Sequence, residues 1–241
     1  MSDLLRSART AVRERLRLSG EQFVRRPRPA LSFGLVLVAL VVLVGLVIPS
    51  QPLAIDRTWS EWMSDMQSST LQHLALIFNY LGRGLGRALT LAALGLVLII
   101  ARRWAALLAF AATESLTPLT SNLLKHLADR PRPPNAMLHS NGSSFPSGHA
   151  AYAGATAVAL VLLFTRPGPK RGGWWLIAAA AIAGMCWSRT YLQVHWLSDV
   201  IAGALLGIGI TLASFAGTQL LTPPTDRRRR ALHEVSAREL E

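Results

Sequence analysis

Two histidines, an aspartate and three basic side chains fall in three short stretches of this 241-residue chain. In the last stretch, Ser188-Arg189 is followed by His195 and, four positions on, by Asp199. Residues four apart share one face of a helix. A carboxylate placed there accepts the proton of one imidazole nitrogen and fixes the tautomer. The other nitrogen then keeps a free lone pair and is a nucleophile. His149, in Pro146-Ser147-Gly148-His149, is a second imidazole that gives and takes a proton near neutral pH. Two such histidines in one site predict a bell-shaped pH dependence of turnover. Lys125 and Arg132, in KHLADRPRPP, join Arg189 as three cations. A planar guanidinium matches a pair of phosphoryl oxygens.

The stretch around His149 has a logic of its own. Pro146 is preset for a first helical position, and Gly148 lets backbone approach a ligand closely. The exposed amides at the start of the apolar run that follows form an anion site. Two histidines and an aspartate also suit a metal, and the His-x-x-x-Asp spacing allows one. Three neighbouring cations repel a divalent ion and complement a phosphate dianion, so electrostatics favour the anion.

The scaffold that must bring these stretches together is apolar. Hydrophobic residues make up 51% of the chain and charged residues 16%, and the mean hydropathy is +0.34. That is too apolar for an ordinary soluble domain. The single cysteine, Cys186, excludes an intrachain disulfide. A net charge of +12 suggests nucleic acid. The arginines flank apolar runs instead of lining one basic face, so no nucleic-acid partner is expected.

The apolar runs predict an all-α, six-transmembrane-helix integral membrane bundle. Residues 31–48 form an uninterrupted run of roughly 27 Å at helical rise, about one bilayer core. The run is too long, and too far from the start, for a cleavable signal, so it reads as a retained span. Further spans are expected at 88–101, 104–128, 149–164, 174–187 and 196–217. Residues 49–86 read as an interfacial or extramembrane helix pair. Six spans place both termini on one side. Eight arginines in residues 1–30, Arg102-Arg103, the Arg166/Lys170/Arg171 loop and Arg227 to Arg230 then share a face. The positive-inside rule makes that face cytoplasmic, and its cations also attract anionic membrane lipid. The expected organisation is a basic arm (1–30), a six-span domain (31–221) and a basic cytoplasmic tail (222–241). The three chemical stretches fall at the other, extracytoplasmic face.

These stretches resemble the type-2 phosphatidic acid phosphatase superfamily, which also includes the vanadium-dependent haloperoxidases. The family signature is Lys-x6-Arg-Pro, Pro-Ser-Gly-His and Ser-Arg-x5-His-x3-Asp. Lys125 to Pro133, Pro146 to His149 and Ser188 to Asp199 match it without a departure. The resemblance implies that His195 attacks phosphorus to form a phosphohistidine, and that Asp199 orients it. By the same resemblance His149 protonates the leaving oxygen and then activates water. Lys125, Arg132, Arg189, Ser147 and the Gly148 amide hold the phosphoryl oxygens. No metal and no organic cofactor is implied.

The expected function is therefore a metal-independent lipid phosphatase in a bacterial cytoplasmic membrane. By resemblance its candidate substrates are undecaprenyl diphosphate, phosphatidylglycerol phosphate and phosphatidic acid. The first is favoured because an outward-facing site meets that carrier where it is released. A lipid phosphotransferase using the same phosphohistidine, and a non-enzymatic membrane scaffold, are the rival classes. The haloperoxidases of this superfamily are soluble, and the apolar spans argue against that branch.

Other residues stand outside the signature. Glu114, Pro118, Ser121 and Lys125 follow helical spacing and share a face. Polar glue between helices is the favoured role for Glu114 over direct catalysis. Arg130 is read as a head-group contact or a solvated charge, with equal weight. Trp59, Trp62, Trp174, Trp175, Trp187 and Trp196 are expected as membrane-interface anchors. His73, His126, His139 and His233 are expected as bystanders.

Overall fold

A computed structural model describes residues 21–222. Positions 1–20 of the expected basic arm and positions 223–241 of the expected tail, Arg227 to Arg230 included, lie outside the described residues. The chain forms α1 (Pro27–Val47), α2 (Ala54–Asp65), α3 (Ser69–Leu81), α4 (Gly84–Ile100) and α5 (Trp104–Ala128). A long loop leads to α6 (Gly148–Phe164), a short 3-10 turn (Pro169–Arg171), α7 (Gly172–Tyr191) and α8 (Leu197–Leu221). Every regular element among the described residues is helical.

The sequence places several of the helix ends. Pro27 opens α1, where its missing N–H leaves nothing unpaired. Helix α5 stops where Asp129 turns left-handed, with φ 37°, and Pro131 follows. Ser147 caps α6, its hydroxyl accepting the Ala150 amide at 3.5 Å. Pro146 therefore stands one place before the cap and not at the first helical position. Asp199 lies in the first turn of α8 and takes the Trp196 amide at 2.9 Å.

Helix α8 runs through the middle, packed by α1, α5, α6 and α7. Small residues allow the close approach. A Cβ on Gly34 of α1 would sit 2.6 Å from the Gly209 carbonyl of α8. A Cβ on Gly203 or Gly207 would strike the carbonyls of Ser147 and Ala151 on α6. Lipid offers no hydrophobic drive between helices, so such backbone contact supplies the association energy. The outer face of α1 is greasy, with Phe33, Val36, Leu43 and Val47 exposed.

Helices α1 and α8 are each long and apolar enough to cross a bilayer, so this is an integral membrane protein. Helices α3 and α4, bent by 50° at a short break, make a third crossing if taken as one. The expected pair in residues 49–86 is α2 and α3, and the run expected from residue 88 already begins at Gly84. Helix α6 is only 17 residues long and α5 carries an internal proline, Pro118. By length and apolarity alone, neither of these two nor α7 is marked as a crossing.

Helices α5 to α8 alternate in direction. The last turns of α5 and α7 and the first turns of α6 and α8 thus meet at one end of the bundle. At the opposite end Arg103 donates to the carboxylate of Glu21 and, at 2.7 Å, to the Leu163 carbonyl. Arg171 donates to the Phe23 carbonyl there at 2.8 Å. Gln219 of α8 takes the amides of Phe23 and Val24 at 2.8 and 3.0 Å.

Candidate active site

At the first end, one cavity of about 490 Å³ collects the chemical side chains. Lys125 comes from the last turn of α5, Arg132 from the loop after it, and Gly148 and His149 from the start of α6. Arg189 comes from the last turn of α7, and His195 from the link to α8. All six lie on the wall, although up to 70 residues separate them in the chain. Ser147 and Asp199 stand behind the wall and are fully buried. The Ser147 amide donates to the Asp199 carbonyl at 3.0 Å, which ties the start of α6 to the start of α8.

His195 is buried, and its Nδ1 lies 2.8 Å from the Ser144 carbonyl. A carbonyl only accepts, so Nδ1 carries the proton and Nε2 keeps its lone pair. That Nε2 lies 3.4 Å from Arg132 Nη1. Asp199 Oδ2 is 3.8 Å from Nδ1, beyond hydrogen-bond reach. The tautomer-fixing task expected of Asp199 therefore falls to the backbone of Ser144, and Asp199 acts on the ring as a nearby negative charge. Burial pushes the His195 pKa down to about 4, against the pull of Asp199. The ring is neutral at pH 7.

The three cations are held without neutralisation. Lys125 Nζ donates to the Ser143 carbonyl at 2.9 Å. Arg132 donates to the carbonyls of Val194 at 2.7 Å and Gly142 at 3.1 Å. Arg189 donates to the Asn79 side chain at 2.6 Å, and its Nε has no partner among the described residues. Neither Lys125, Arg132 nor Arg189 has a carboxylate within 4 Å among the described residues. His149 Nε2 is buried and likewise unpartnered there. The Ser147 hydroxyl accepts its cap bond and donates to nothing among the described residues. Uncompensated positive charge around a void is costly unless an anion fills it.

A second charge cluster behind His195 was not visible in the sequence. Arg130 is 1% exposed, so it is neither a head-group contact nor a solvated charge. It donates to Asp199 Oδ1 at 2.6 Å and to Asp56 Oδ2 at 2.8 Å. Asp56, from α2, also takes the Ser198 amide and hydroxyl at 2.8 and 2.9 Å. The arginine in DRPRP hinted at such a role. Nothing near Asp56 did: its local partner is the Leu53 amide at 3.1 Å, an ordinary helix-start contact, while Arg130 and Ser198 lie more than 70 residues away.

Two further expectations change. Trp196 is buried and donates to the Pro131 carbonyl at 2.9 Å, so it locks the loop and anchors no membrane interface. His139 lies on the cavity wall and is no bystander by position. Glu114 faces Arg87 of α4 at 3.8 Å, a contact between helices as expected for polar glue. His233 lies outside the described residues.

Comparison with known proteins agrees with this geometry. Residues 102–222 match the sequence profile of the PAP2 superfamily. An undecaprenyl-diphosphatase of Sulfolobus acidocaldarius is 42% identical over 72 residues, which is 30% of this chain and 32% of that protein. The match thus spans about a third of the relative's length. The crystal structure of a transmembrane PAP2-type phosphatidylglycerolphosphate phosphatase from Bacillus subtilis superposes with a TM-score of 0.61 at 22% identity. It covers 82% of this chain and 98% of that one. Aquifex aeolicus LpxE superposes with a TM-score of 0.57 at 24% identity, over 67% of this chain and 95% of that one.

Proposed function

The chain belongs to the PAP2 superfamily, and from that membership we propose that it is a membrane phosphatase acting on a lipid phosphate or diphosphate. The observation that carries the reading is the cavity itself, in which three cations without a carboxylate partner among the described residues surround two imidazoles. A phosphoryl dianion supplies the missing negative charge. Lys125, Arg132, Arg189, the Ser147 hydroxyl and the Gly148 amide hold its oxygens. The neutral Nε2 of His195 attacks phosphorus and forms a phosphohistidine, while His149 gives its proton to the leaving oxygen. His149 then takes a proton from water, which attacks the phosphohistidine and releases phosphate. Asp199 stabilises the positive charge that His195 acquires. Stabilisation of the moving charge supplies most of the catalysis.

Six crossings follow if α1, the bent α3–α4 pair, α5, α6, α7 and α8 each count once, with α2 lying at the interface. An even number puts both termini on one side. Arg103 and Arg171, at the end away from the cavity, support a cytoplasmic assignment for that end. The cavity then opens on the outer face of a bacterial cytoplasmic membrane. The basic arm 1–30 and tail 222–241 belong to the cytoplasmic side, and 31–221 form the catalytic domain. The likeness to an undecaprenyl-diphosphatase favours the polyprenyl diphosphate as substrate.

The test is phosphate release by detergent-purified protein, in excess EDTA, from undecaprenyl diphosphate, phosphatidylglycerol phosphate and phosphatidic acid. Release should survive EDTA and fall by on the order of 10⁴-fold or more in His195→Ala. Release that His195→Ala leaves intact overturns the reading. Transfer to an added lipid or sugar acceptor in place of water identifies a phosphotransferase.

A further inference from the structure

The cavity does not end at His195 and the five residues grouped with it. It continues past His149 to Arg83, Arg87 and Tyr152, none of which the signature contains. Arg83 comes from the break between α3 and α4 and Arg87 from the first turn of α4; Gly84 takes a left-handed φ of 54° there, and the helix pair bends by 50°. Gly82 packs flat against the His149 ring, since a Cβ there would lie 2.6 Å from His149 Cδ2. A glycine is required at this contact. The break thus holds Arg83 beside the imidazole.

Tyr152 follows His149 by three positions on α6, about 4.5 Å further along the same helix face. The residue is 94% buried (6% exposed), and its hydroxyl has no partner among the described residues. The Arg87 guanidinium lies 4.9 Å above its ring. Glu114 is the one carboxylate near this group among the described residues, 3.8 Å from Arg87, and it stands off the cavity wall. One carboxylate against Arg83 and Arg87 leaves the second region net positive, beside a buried hydroxyl that has no partner among the described residues.

We propose that Arg83, Arg87 and Tyr152 form a second anion subsite, which holds the leaving phosphate of a lipid diphosphate while the terminal phosphate sits before His195. The proposal rests on the phosphatase reading of the first subsite. His149 lies between the two groups, where the bridging oxygen of a diphosphate falls. The bond from the terminal phosphorus to that oxygen breaks, the terminal phosphorus bonds to His195 Nε2, and the proton of His149 goes to the bridging oxygen. The lipid monophosphate then departs with its charge held by the two arginines. A lipid monophosphate substrate fills only the first subsite.

The experiment compares a polyprenyl diphosphate with the monophosphate of the same chain, in wild type and in Arg83→Ala. Arg83 is exposed, so its loss spares the packed interior. The ratio of kcat/KM for diphosphate over monophosphate should fall roughly tenfold or more. Tyr152→Phe, which keeps the buried ring, should lower it by roughly fivefold. A ratio within about twofold of wild type in both variants overturns the subsite and leaves the phosphatase reading standing. A second readout needs no turnover: calorimetric binding of methylene diphosphonate against orthophosphate. Preference for the diphosphonate, lost in Arg83→Ala, supports the subsite even if wild type releases no phosphate from either lipid. In that case the hydrolase reading alone falls. No preference in wild type overturns the subsite.

Discussion

Arg130 and Arg132 stand two positions apart in one loop and do opposite jobs. Arg130 is buried between Asp56 and Asp199, with both carboxylates within 2.8 Å. Among the described residues Arg132 reaches only backbone carbonyls and the edge of His195, on the wall of a cavity. A buried charge that has its counterions is part of the structure. A charge that has dipoles but no counterion is prepared for a ligand. The same side chain thus fastens α2 to α8 in one case and faces the substrate in the other. Only the position of the carboxylates distinguishes them.

The largest effect should come from breaking the paired member. Arg130→Ala strands two buried carboxylates, and loss of one partner from a buried ion pair costs about 3–5 kcal/mol. Thermal denaturation in detergent should show the loss, with activity falling in proportion to folded protein. Arg132→Ala should cost less stability and more chemistry. Phosphate release should drop by roughly 10²–10³-fold, the scale of one transition-state donor. Competitive inhibition by orthovanadate should weaken with it. If Arg132→Ala proves the less stable of the two variants, the division between structural and ligand-facing arginine is wrong.

A subtler consequence is read in pH. His195 titrates near 4 in the folded protein, well under the ordinary 6.5, because burial disfavours its charged form. The nucleophile therefore stays neutral, and the acid limb of kcat/KM should lie near pH 4. An acid limb near the ordinary histidine value would show that His195 is hydrated or is not the nucleophile. Stability should move with the same sign. Between the two values the unfolded chain binds the proton and the folded one does not. The contribution of His195 is thus fully present above about pH 6.5 and declines as pH falls toward 4.

Much of the cavity wall was legible because the residues come in tight motifs at the ends of apolar runs. Lys125, Arg132, His149, Arg189 and His195 needed only that the ends of α5, α6, α7 and α8 meet. The helical character was legible for the same reason, since long apolar runs in lipid must satisfy their backbone internally. The close junction of α3 and α4 as one bent pair was not, because a Gly82-Arg83-Gly84 break reads equally well as a loop between separate helices. Ser144 escaped notice because it contributes its carbonyl, which every residue has. Asp56 escaped because a lone acid in an amphipathic helix looks solvated until Arg130 is placed against it.

By itself the sequence determined the chemical inventory: two imidazoles, three cations, a glycine at a helix start, and apolar helices to carry them. Residue type and local spacing suffice for that, because helix ends, caps and shared faces are short-range properties. The tertiary structure decided which charges are paired. It put a backbone carbonyl, and not Asp199, in hydrogen-bond contact with the His195 ring, and among the described residues it gave Arg130 two carboxylates and Arg132 none. Those outcomes depend on distances of a few ångströms between segments far apart in the chain. Electrostatic energy in a buried site is set by such distances and not by composition.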